Sequence, residues 1–535
     1  KLDRPRLLPL DLRTGLYRLA IVTLVLLGAY LRSRRYWLDP LGLWVDEATW
    51  GLRLFRRSLT ALEFRPIAYM ALTKLIVKVY CDERTLRLLS YAAGLLSLPL
   101  SADLAKYLFR SRWVRVSCVA VVAYNPLLID MAREFKPYSV EFFVHLSLVW
   151  LFVRWKVSRS RGWLAALLLC SVFAFTFAYN IVFLLPGLFT VLGYTLLRAK
   201  AQRALAVTVV ATLAAMAVML AVYVCVLRGT VKDDDGGTEQ FWGKKYDVFY
   251  LPSAQPSGHP LARASWLIAK YRDLAVFPGS HGNKPSTATP VVSETTGQLS
   301  ALGSYAWLAL HFAGLAALIA YRRQWLLLLT SPLLVCAVFN GLNLWPFGAF
   351  RSNVFLLVYL ILIPMFGLDA LLSLRAPVAR LAGAAGVALL LAANLSTGFE
   401  PHIRKHFFCT QSEMGSLLGS MASVRAQQPE RLRSHATLVL LDSYSCAPFI
   451  FDAVYNDSAR RAFGDLLGKG TDARCPGTLT ATTKVLDAAH GKPFFVVVSD
   501  QRAMLSYARM LRRHTHVLDH ETIRGTHDLY FVTAR

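Results

Sequence analysis

The chain has 535 residues, of which 55% are hydrophobic, and its mean hydropathy is +0.42. Soluble domains are roughly 45–50% apolar even with glycine counted, and the excess here is concentrated in long apolar blocks, which argues against a soluble protein. The net charge of +26 comes mostly from Lys and Arg in short segments between those blocks, where they signal membrane topology rather than nucleic-acid binding. We therefore expect an integral membrane protein that contacts membrane lipids and no nucleic acid.

Apolar blocks long enough to form transmembrane helices recur along the chain, since a helix needs roughly 17–25 residues to cross a bilayer. A consistent alternation results when the basic clusters, such as Lys106–Arg115 and Arg154–Arg161, are placed in the cytoplasm. The sequence thus predicts a polytopic α-helical membrane protein with about eleven transmembrane helices. The predicted spans are 17–32, 86–105, 113–130, 137–153, 162–180, 181–197, 204–227, 301–320, 324–343, 352–371 and 378–395.

One shorter apolar stretch, Ile67–Tyr80, does not fit this pattern because it contains Lys74 and Lys78. We interpret it as an extracytoplasmic interfacial helix, since a crossing there would put every later basic loop on the opposite side; the alternative is a tilted, buried span.

The predicted outer segments are the first loop 33–85, the turn 131–136, the long loop 228–300, the segment 344–351 and the tail. The long loop 228–300 contains many Pro, Ser and Gly residues, so we expect it to be partly mobile.

The tail, residues 396–535, differs in composition from the membrane part, residues 1–395. The runs Ala436–Asp442, Pro493–Asp500 and Asp528–Thr533 predict strands, and Gln501–Arg513 predicts a helix. Strands that alternate with helices predict a small C-terminal α/β soluble domain outside the membrane. One disulfide is compatible with that location, but the sequence does not choose its pair among Cys409, Cys446 and Cys475.

Two adjacent carboxylates, Asp46 and Glu47, follow the first span in a setting of aromatic and aliphatic residues. One interpretation is a helix start in which Asp46 is the N-cap and Glu47 lies in the first turn. The other is a general base at the membrane surface, activated by partial desolvation. Position in the sequence alone does not separate the two interpretations.

Four cations in the predicted outer segments are candidates for a specific role, because the positive-inside rule places most Lys and Arg in the cytoplasm. An anionic ligand, or an ion pair with Asp46 or Glu47, would explain their position. There are two simpler alternatives. Glu134 would form a surface ion pair with its own neighbours, and Arg351 would extend its apolar side-chain stem along the membrane so that its charged group reaches the interface. The four cations are Arg65, Arg133, Lys136 and Arg351.

Two ionisable residues, Glu141 and His145, lie one helical turn apart inside the fourth predicted span. Ionisable groups within a span are costly, so both are candidates for a functional role. The structural alternative is that they pair with each other or reach water near the outer end of the span.

Several of these segments, in the same order along most of the chain, resemble the GT-C glycosyltransferases. The resemblance is to the family 39 protein mannosyltransferases and aminoarabinose transferases in particular. It departs at Arg65, because relatives often have His-Pro-Pro where this chain has Arg-Pro-Ile, which argues against a histidine-based metal or acceptor role there. The matching segments are the first-loop acidic pair Asp46–Glu47, the Arg/Glu-rich turn Arg133–Tyr138, the Tyr-Pro-Phe-Gly…Arg-like segment Trp345–Gly348 with Arg351, and the tail start Asp442–Tyr444 with Pro448.

This resemblance implies a GT-C-like fold and a polyprenyl-phosphate sugar as donor, used on the extracytoplasmic face of a bacterial inner membrane. It also implies a single inverting displacement in which Asp46 takes the proton of the acceptor hydroxyl, with Glu47 beside it. The leaving phosphate is already anionic, so cations would stabilise it more than a general acid would. The implied phosphate ligands are Arg133, Lys136, Arg351 and Arg65, and the supporting residues are Glu134, Tyr138, Glu141 and His145.

Other properties stay open at this level. The resemblance does not choose between a hexose and a pentose, or between a glycan, a lipid and a protein acceptor. It requires no cofactor, although a divalent ion is compatible with Asp46, Glu47 and Glu134. Two different classes remain as alternatives: a lipid or polysaccharide transporter or flippase, and a non-catalytic membrane assembly subunit. Two observations argue against a transporter. The sequence shows no paired interrupted helices, and the cations that depart from the positive-inside rule all lie on the predicted extracytoplasmic face.

Overall fold

A computed structural model of the chain divides into two compact units. The first unit contains Lys1–Ser33, Glu63–Tyr69 and Leu89–Glu400, and the second contains Arg34–Leu62, Met70–Leu88 and Pro401–Arg535. Most of the predicted first outer loop therefore clusters with the tail. The structure describes residues 12–38, 43, 45–56, 58, 65–228, 249, 260–276, 294–349, 351–374, 376–398, 414–427, 437–441, 443–463, 466, 471–476, 479–488, 493–498, 504–523 and 527–534.

Up to residue 398, the described residues are almost entirely helical. Short π-helical segments lie at Arg34–Leu38 and Tyr223–Leu227, and 3₁₀ segments lie at Tyr179–Phe183 and Arg351–Leu356. The α-helices are α1 Leu12–Ser33, α2 Val45–Arg56, α3 Ile67–Val77, α4 Glu83–Leu108, α5 Arg112–Tyr124, α6 Pro126–Met131, α7 Tyr138–Ser158, α8 Arg161–Phe177, α9 Leu185–Arg198, α10 Gln202–Val222, α11 Pro260–Ala275, α12 Glu294–Tyr321, α13 Arg323–Gly341, α14 Leu357–Ser373 and α15 Pro377–Gly398.

Helical structure covers each of the eleven predicted spans. Five segments are both long and apolar enough to cross a membrane by length and composition, which agrees with an integral membrane protein. The number of crossings stays a prediction, as does the interfacial position of α3, an 11-residue helix. The five segments are Thr14–Ser33, Glu83–Leu108, Gln202–Leu227, Arg323–Gly341 and Arg351–Ser373.

The third predicted span is two helices because the chain turns at Asn125. Pro126 begins α6 with the φ that a first helical turn needs, and the Asn125 side chain accepts the Leu128 N–H at 3.0 Å. At the end of α5, buried Arg32 donates to the carbonyl oxygens of Val122 and Ala123 at 2.9 and 3.0 Å. A cation at the negative end of a helix dipole is favourable, so Arg32 stabilises the place where the chain leaves α5.

Two helices of the first unit, α12 and α14, approach each other backbone to backbone. A Cβ atom added to Gly314 would lie 1.9 Å from the carbonyl oxygen of Ile363, and one added to Gly367 would lie 2.6 Å from the Gly314 nitrogen. Small residues at such crossings allow the close packing on which helix association in membranes depends. A side chain at either position would push the two helices apart.

The tail forms a five-stranded sheet in the order β2-β1-β3-β5-β4, with helices on both faces. The strand β1 is parallel to β2 and β3, whereas β5 is antiparallel to β3 and β4. This confirms the expected sheet with helices in the tail, whose position outside the membrane stays a prediction. Its elements are α16 Met414–Gln427, β1 Thr437–Leu441, α17 Ser443–Val454, α18 Asp457–Ala462, β2 Thr471–Arg474, α19 Leu479–Ala488, β3 Pro493–Val498, α20 Met504–His514, β4 Thr515–Ile523 and β5 His527–Ala534.

Successive side chains of the central strands point to opposite faces of the sheet, which gives this domain two hydrophobic cores. Val439 and Leu441 pack with α16 and α17 on one face, whereas Leu440 packs with α19 and α20 on the other. Successive strand residues point to opposite faces, so a run of apolar residues predicts a strand covered on both sides. The apolar strands β1, β3 and β5 were predicted in this way.

The structure also chooses a disulfide, which joins Cys446 of α17 to Cys475 beside β2. Cys409 and Asp442 lie outside the described residues. We expect the double variant Cys446→Ser/Cys475→Ser to lose about 3 kcal/mol of domain stability, because the bond closes a loop with a sequence separation of 29. Thermal unfolding and maleimide labelling with and without reductant would measure this. Labelling of both thiols in unreduced wild-type protein would contradict the bond.

Candidate active site

The acidic pair begins helix α2, and its two carboxylates differ in their surroundings. Because α2 begins at Val45, Asp46 lies in the first turn rather than at the cap, and its side chain is partly exposed. Glu47 is fully buried and pairs with Arg87 of α4. Two parallel bonds join them, from Arg87 Nε to Oε1 at 3.0 Å and from NH2 to Oε2 at 2.6 Å. The planar guanidinium thus holds the turn that carries Asp46.

We expect Arg87→Met to lower the free energy of unfolding by about 3–5 kcal/mol, since it leaves the Glu47 carboxylate buried without this partner. Glu47→Leu/Arg87→Met should recover part of the loss, because both charges are then removed. Arg84→Met, on a more exposed side chain of the same helix, is the matched control. Chemical unfolding of the purified protein measures all three, and equal losses for Arg87→Met and Arg84→Met would contradict the structural role of the pair.

The turn between α6 and α7 carries two of the predicted phosphate ligands, Arg133 and Lys136, both only 4% exposed. Arg133 forms an ion pair with Asp130, three residues earlier, and its Nε donates to the carbonyl oxygen of Ile129 at 3.3 Å. The local ion pair that the structure shows in this turn is therefore the one between Arg133 and Asp130. Asp130 therefore orients the guanidinium of Arg133.

The backbone of this turn is fixed against α4. Ser90 Oγ donates to the carbonyl oxygen of Lys136 at 2.7 Å. A Cβ atom added to Gly94 would lie 2.5 Å from Cβ of Ala132, so the turn sits directly on the helix backbone. Phe135 stacks on Tyr69 with ring centroids 6.0 Å apart. These contacts leave the turn little freedom to move.

Arg65 and Arg351 lie on two other segments of the first unit. The carbonyl oxygen of buried Arg65 accepts a hydrogen bond from the Tyr179 hydroxyl at 2.6 Å. Arg351 begins a 3₁₀ segment, in which Asn353 donates to the carbonyl oxygens of Pro346 and Gly348 at 3.1 and 2.9 Å. The amide of Asn353 thus fastens the Trp-Pro-Phe-Gly loop to the segment that carries Arg351.

Glu141 and His145 are both buried in α7. His145 bonds Tyr359 through Nδ1 at 2.7 Å and Asn180 through Nε2 at 3.2 Å, rather than pairing with Glu141. The Asn180 oxygen can only accept, so Nε2 carries the ring hydrogen and the Tyr359 hydroxyl donates to Nδ1. The Asn180 side chain also faces the Glu141 carboxyl. These residues join three separate segments of the first unit.

A buried acidic group in the second unit was not predicted. Asn456 donates from its single amide nitrogen to Glu83 and to Asp452, both at 2.8 Å. Burial raises the pKa of the Asp452 carboxyl well above its usual range, the nearby Glu83 charge raises it further, and the Asn456 hydrogen bond opposes both.

This group predicts a pH dependence of stability. The folded protein holds the Asp452 proton more tightly than the unfolded chain, so the free energy of unfolding should fall as pH rises from the ordinary carboxyl pKa towards the raised one. We expect Asp452→Asn to gain stability over wild type at pH 8 and much less at pH 5. Asp472→Asn, on an exposed carboxylate of the same domain, is the control. The prediction would be contradicted if the melting temperatures of Asp452→Asn and wild type changed with pH in the same way.

The predicted site residues are thus distributed over both units. Asp46 and Glu47 belong to the second unit, and the others belong to the first. Four of the latter share one turn and the start of α7, and Glu141 and His145 follow on the same helix. Over the described ranges, no three His, Cys, Asp or Glu side chains are grouped as metal ligands, and a divalent ion stays a hypothesis. Sequence reasoning missed Arg87, Asp130, Asn180 and Tyr359 as partners.

The structure as a whole is similar to ArnT from Cupriavidus metallidurans in the apo state, with a TM-score of 0.51 and 14% identity over 97% of this chain and 98% of that one. This chain has the GT-C fold. ArnT from the same organism bound to undecaprenyl phosphate gives a TM-score of 0.49 at 13% identity, over 97% of this chain and 98% of that one. The Archaeoglobus fulgidus oligosaccharyltransferase in the apo form gives 0.45 at 12% identity, over 94% of this chain and 72% of that one.

Neither a family model nor a curated protein matches the sequence. The GT-C fold predicted from short motifs is nevertheless confirmed over nearly the whole length of the chain. Since one fold supports different activities, the function has to be argued from the side chains.

Proposed function

We propose that this protein transfers a sugar from a polyprenyl-phosphate-linked donor to a hydroxyl group of an acceptor. The observation that carries the proposal is the difference between the two carboxylates of the acidic pair. Glu47 is buried in a bidentate ion pair with Arg87, whereas Asp46 is partly exposed in the turn that this pair holds. A base must reach its substrate and keep its orientation, and the partial exposure of Asp46 and the ion pair that holds its turn both support this role.

In the proposed reaction, the Asp46 carboxylate takes the proton of the acceptor hydroxyl. The hydroxyl oxygen attacks the anomeric carbon, the bond from that carbon to the phosphate oxygen breaks, and polyprenyl phosphate leaves with the electron pair. A single displacement of this kind inverts the anomeric configuration. Glu47 acts as a positioning residue through Arg87 rather than as a second base.

The cations of the first unit suit the departing phosphate. Arg133 is buried and oriented by Asp130, Lys136 is buried in the same fixed turn, and Arg351 and Arg65 lie on anchored segments. Preorganised cations stabilise developing negative charge without having to rearrange during the reaction. The Cys446–Cys475 disulfide supports a tail on the extracytoplasmic side, since such bonds persist in oxidising compartments.

The test is turnover by purified protein in lipid nanodiscs with a panel of polyprenyl-phosphate hexoses and pentoses. Release of polyprenyl phosphate together with glycosylation of an added glycan, lipid or peptide supports the proposal and identifies the sugar. In sided vesicles, movement of an intact donor across the bilayer would instead indicate a flippase. Neither release nor movement with any donor would point to a non-catalytic subunit.

A further inference from the structure

A buried polar network in the first unit centres on His145, which is fully buried in α7. Its ring accepts from the Tyr359 hydroxyl at 2.7 Å and donates to the Asn180 oxygen at 3.2 Å. Tyr359 is fully buried on α14, and Asn180 is fully buried in the 3₁₀ segment before α9. One neutral imidazole therefore connects three elements that are far apart in the sequence.

The hydrogen bond from His145 to Asn180 begins one branch of this network, which continues through Tyr179 to Arg65. Asn180 follows Tyr179 in the same short 3₁₀ segment, and the Tyr179 hydroxyl donates to the Arg65 carbonyl oxygen at 2.6 Å. The bond from His145 fixes the Asn180 side chain, and one peptide unit away Tyr179 fixes the backbone of Arg65. The position of Arg65 thus depends on the 3₁₀ segment that His145 holds.

The Tyr359 branch leads to Arg351. Tyr359 lies near the start of α14, which follows directly on the 3₁₀ segment that carries Arg351, and that segment is kinked at Asn353. Between them, Phe355 packs on the His145 ring with centroids 4.8 Å apart. Phe355 also stacks on Phe183, at the end of the other 3₁₀ segment, at 5.4 Å and 17°. Polar and aromatic contacts therefore join the same two segments.

We infer that His145 is a positioning residue that aligns the segments carrying Arg65 and Arg351 for one ligand, the phosphate of the lipid-linked donor. This inference rests on the proposed function, which makes both arginines phosphate ligands. The network lies among buried apolar side chains, so removing the ring leaves a hydroxyl and an amide oxygen without their hydrogen-bond partner. Either group then turns towards a new partner and moves its segment.

The test variant is His145→Phe, which keeps an aromatic ring against Phe355 and removes both hydrogen bonds. We expect the Kd for undecaprenyl phosphate and the KM for the donor to rise about ten- to a hundredfold, because small displacements of binding groups have effects of that size. The KM for the acceptor should stay unchanged. His145→Gln, whose amide can still donate to Asn180, should restore part of the donor affinity. In an Arg65→Ala/Arg351→Ala background, His145→Phe should add little, because its effect passes through those arginines.

The matched control is His311→Phe. His311 is equally buried in the first unit and bonds one tyrosine, Tyr271, at 2.8 Å, outside this network. It should lower thermal stability without raising the Kd for undecaprenyl phosphate. Tyr359→Phe, which removes the bond to His145 and keeps the ring of Tyr359, tests the same branch if His145→Phe does not fold.

Three results would overturn the positioning role of His145. Wild-type protein that does not bind undecaprenyl phosphate would overturn the proposed function and, with it, this role of His145. Wild-type protein that binds, with His145→Phe and Tyr359→Phe binding equally well, would overturn only the positioning role. A full multiplicative effect of His145→Phe in the double-arginine background would also overturn it, because that effect would not pass through Arg65 and Arg351.

Discussion

Asp46→Asn is expected to abolish sugar transfer while the protein still folds and inserts into the membrane. Asparagine has nearly the same shape as aspartate but cannot take a proton, and removal of a general base costs roughly 10²–10⁴-fold in rate. Because Asp46 is partly exposed and the adjacent Glu47 keeps its bond to Arg87, the fold should be little affected. Initial rates of polyprenyl phosphate release and a melting curve measure the two effects separately.

Glu47→Gln is the matched control for this experiment, since it makes the same chemical change at the neighbouring position. It weakens a buried ion pair, so we expect a lower melting temperature together with reduced activity. Wild-type turnover by Asp46→Asn would rule out Asp46 as the base. Activity lost at Glu47 with an unchanged melting temperature would instead give Glu47 a direct part in the chemistry.

The second large effect is expected at Arg133. A hydrogen bond to a charged group contributes about 1.5–3 kcal/mol, so Arg133→Ala should raise the KM for the donor by roughly ten- to a hundredfold. The KM for the acceptor should change much less. Arg133→Lys should recover only part of the donor affinity, since lysine lacks the planar fork that suits phosphate oxygens.

The control for Arg133 is Asp130→Asn, which keeps the cation and weakens the partner that orients it. Its effect on the donor KM should have the same direction and a smaller size. Steady-state kinetics at varied donor and fixed acceptor, followed by the reverse design, separate the two KM values. An unchanged donor KM in Arg133→Ala would remove Arg133 from the phosphate site.

The membrane helices were readable from sequence because hydrophobic runs and basic ends are local signals. The helix α11, Pro260–Ala275, was not predicted, since the segment 228–300 was interpreted as a long loop. Two of the five strands were not predicted, and both failures have a physical reason. The strand β2, Thr471–Arg474, is a four-residue edge strand with little apolar content. The strand β4, Thr515–Ile523, is a polar edge strand whose register is shifted between Val517 and Asp519, so its alternation is broken.

Sequence patterns reveal contacts between neighbouring residues of the candidate site but not contacts between residues far apart in the sequence. Asp130 and Arg133 are three residues apart, so their contact could have been predicted from helical spacing. The Glu47–Arg87 pair joins residues 40 apart, and His145 meets Tyr359 across 214 residues. Nothing near Arg87 or Tyr359 in the sequence distinguishes them from other residues of an amphipathic or apolar helix. Such partners become visible only when the helices are packed.

The glycine crossing of α12 and α14 has a consequence for turnover. In the proposed reaction a lipid donor enters and its phosphate leaves in every cycle, which requires segments that open and close. With Gly314 and Gly367 leaving no space between the two backbones, this pair cannot slide or rotate without a clash. We expect its amides to be among the slowest to exchange with deuterium, and this helix pair to stay in place throughout the cycle.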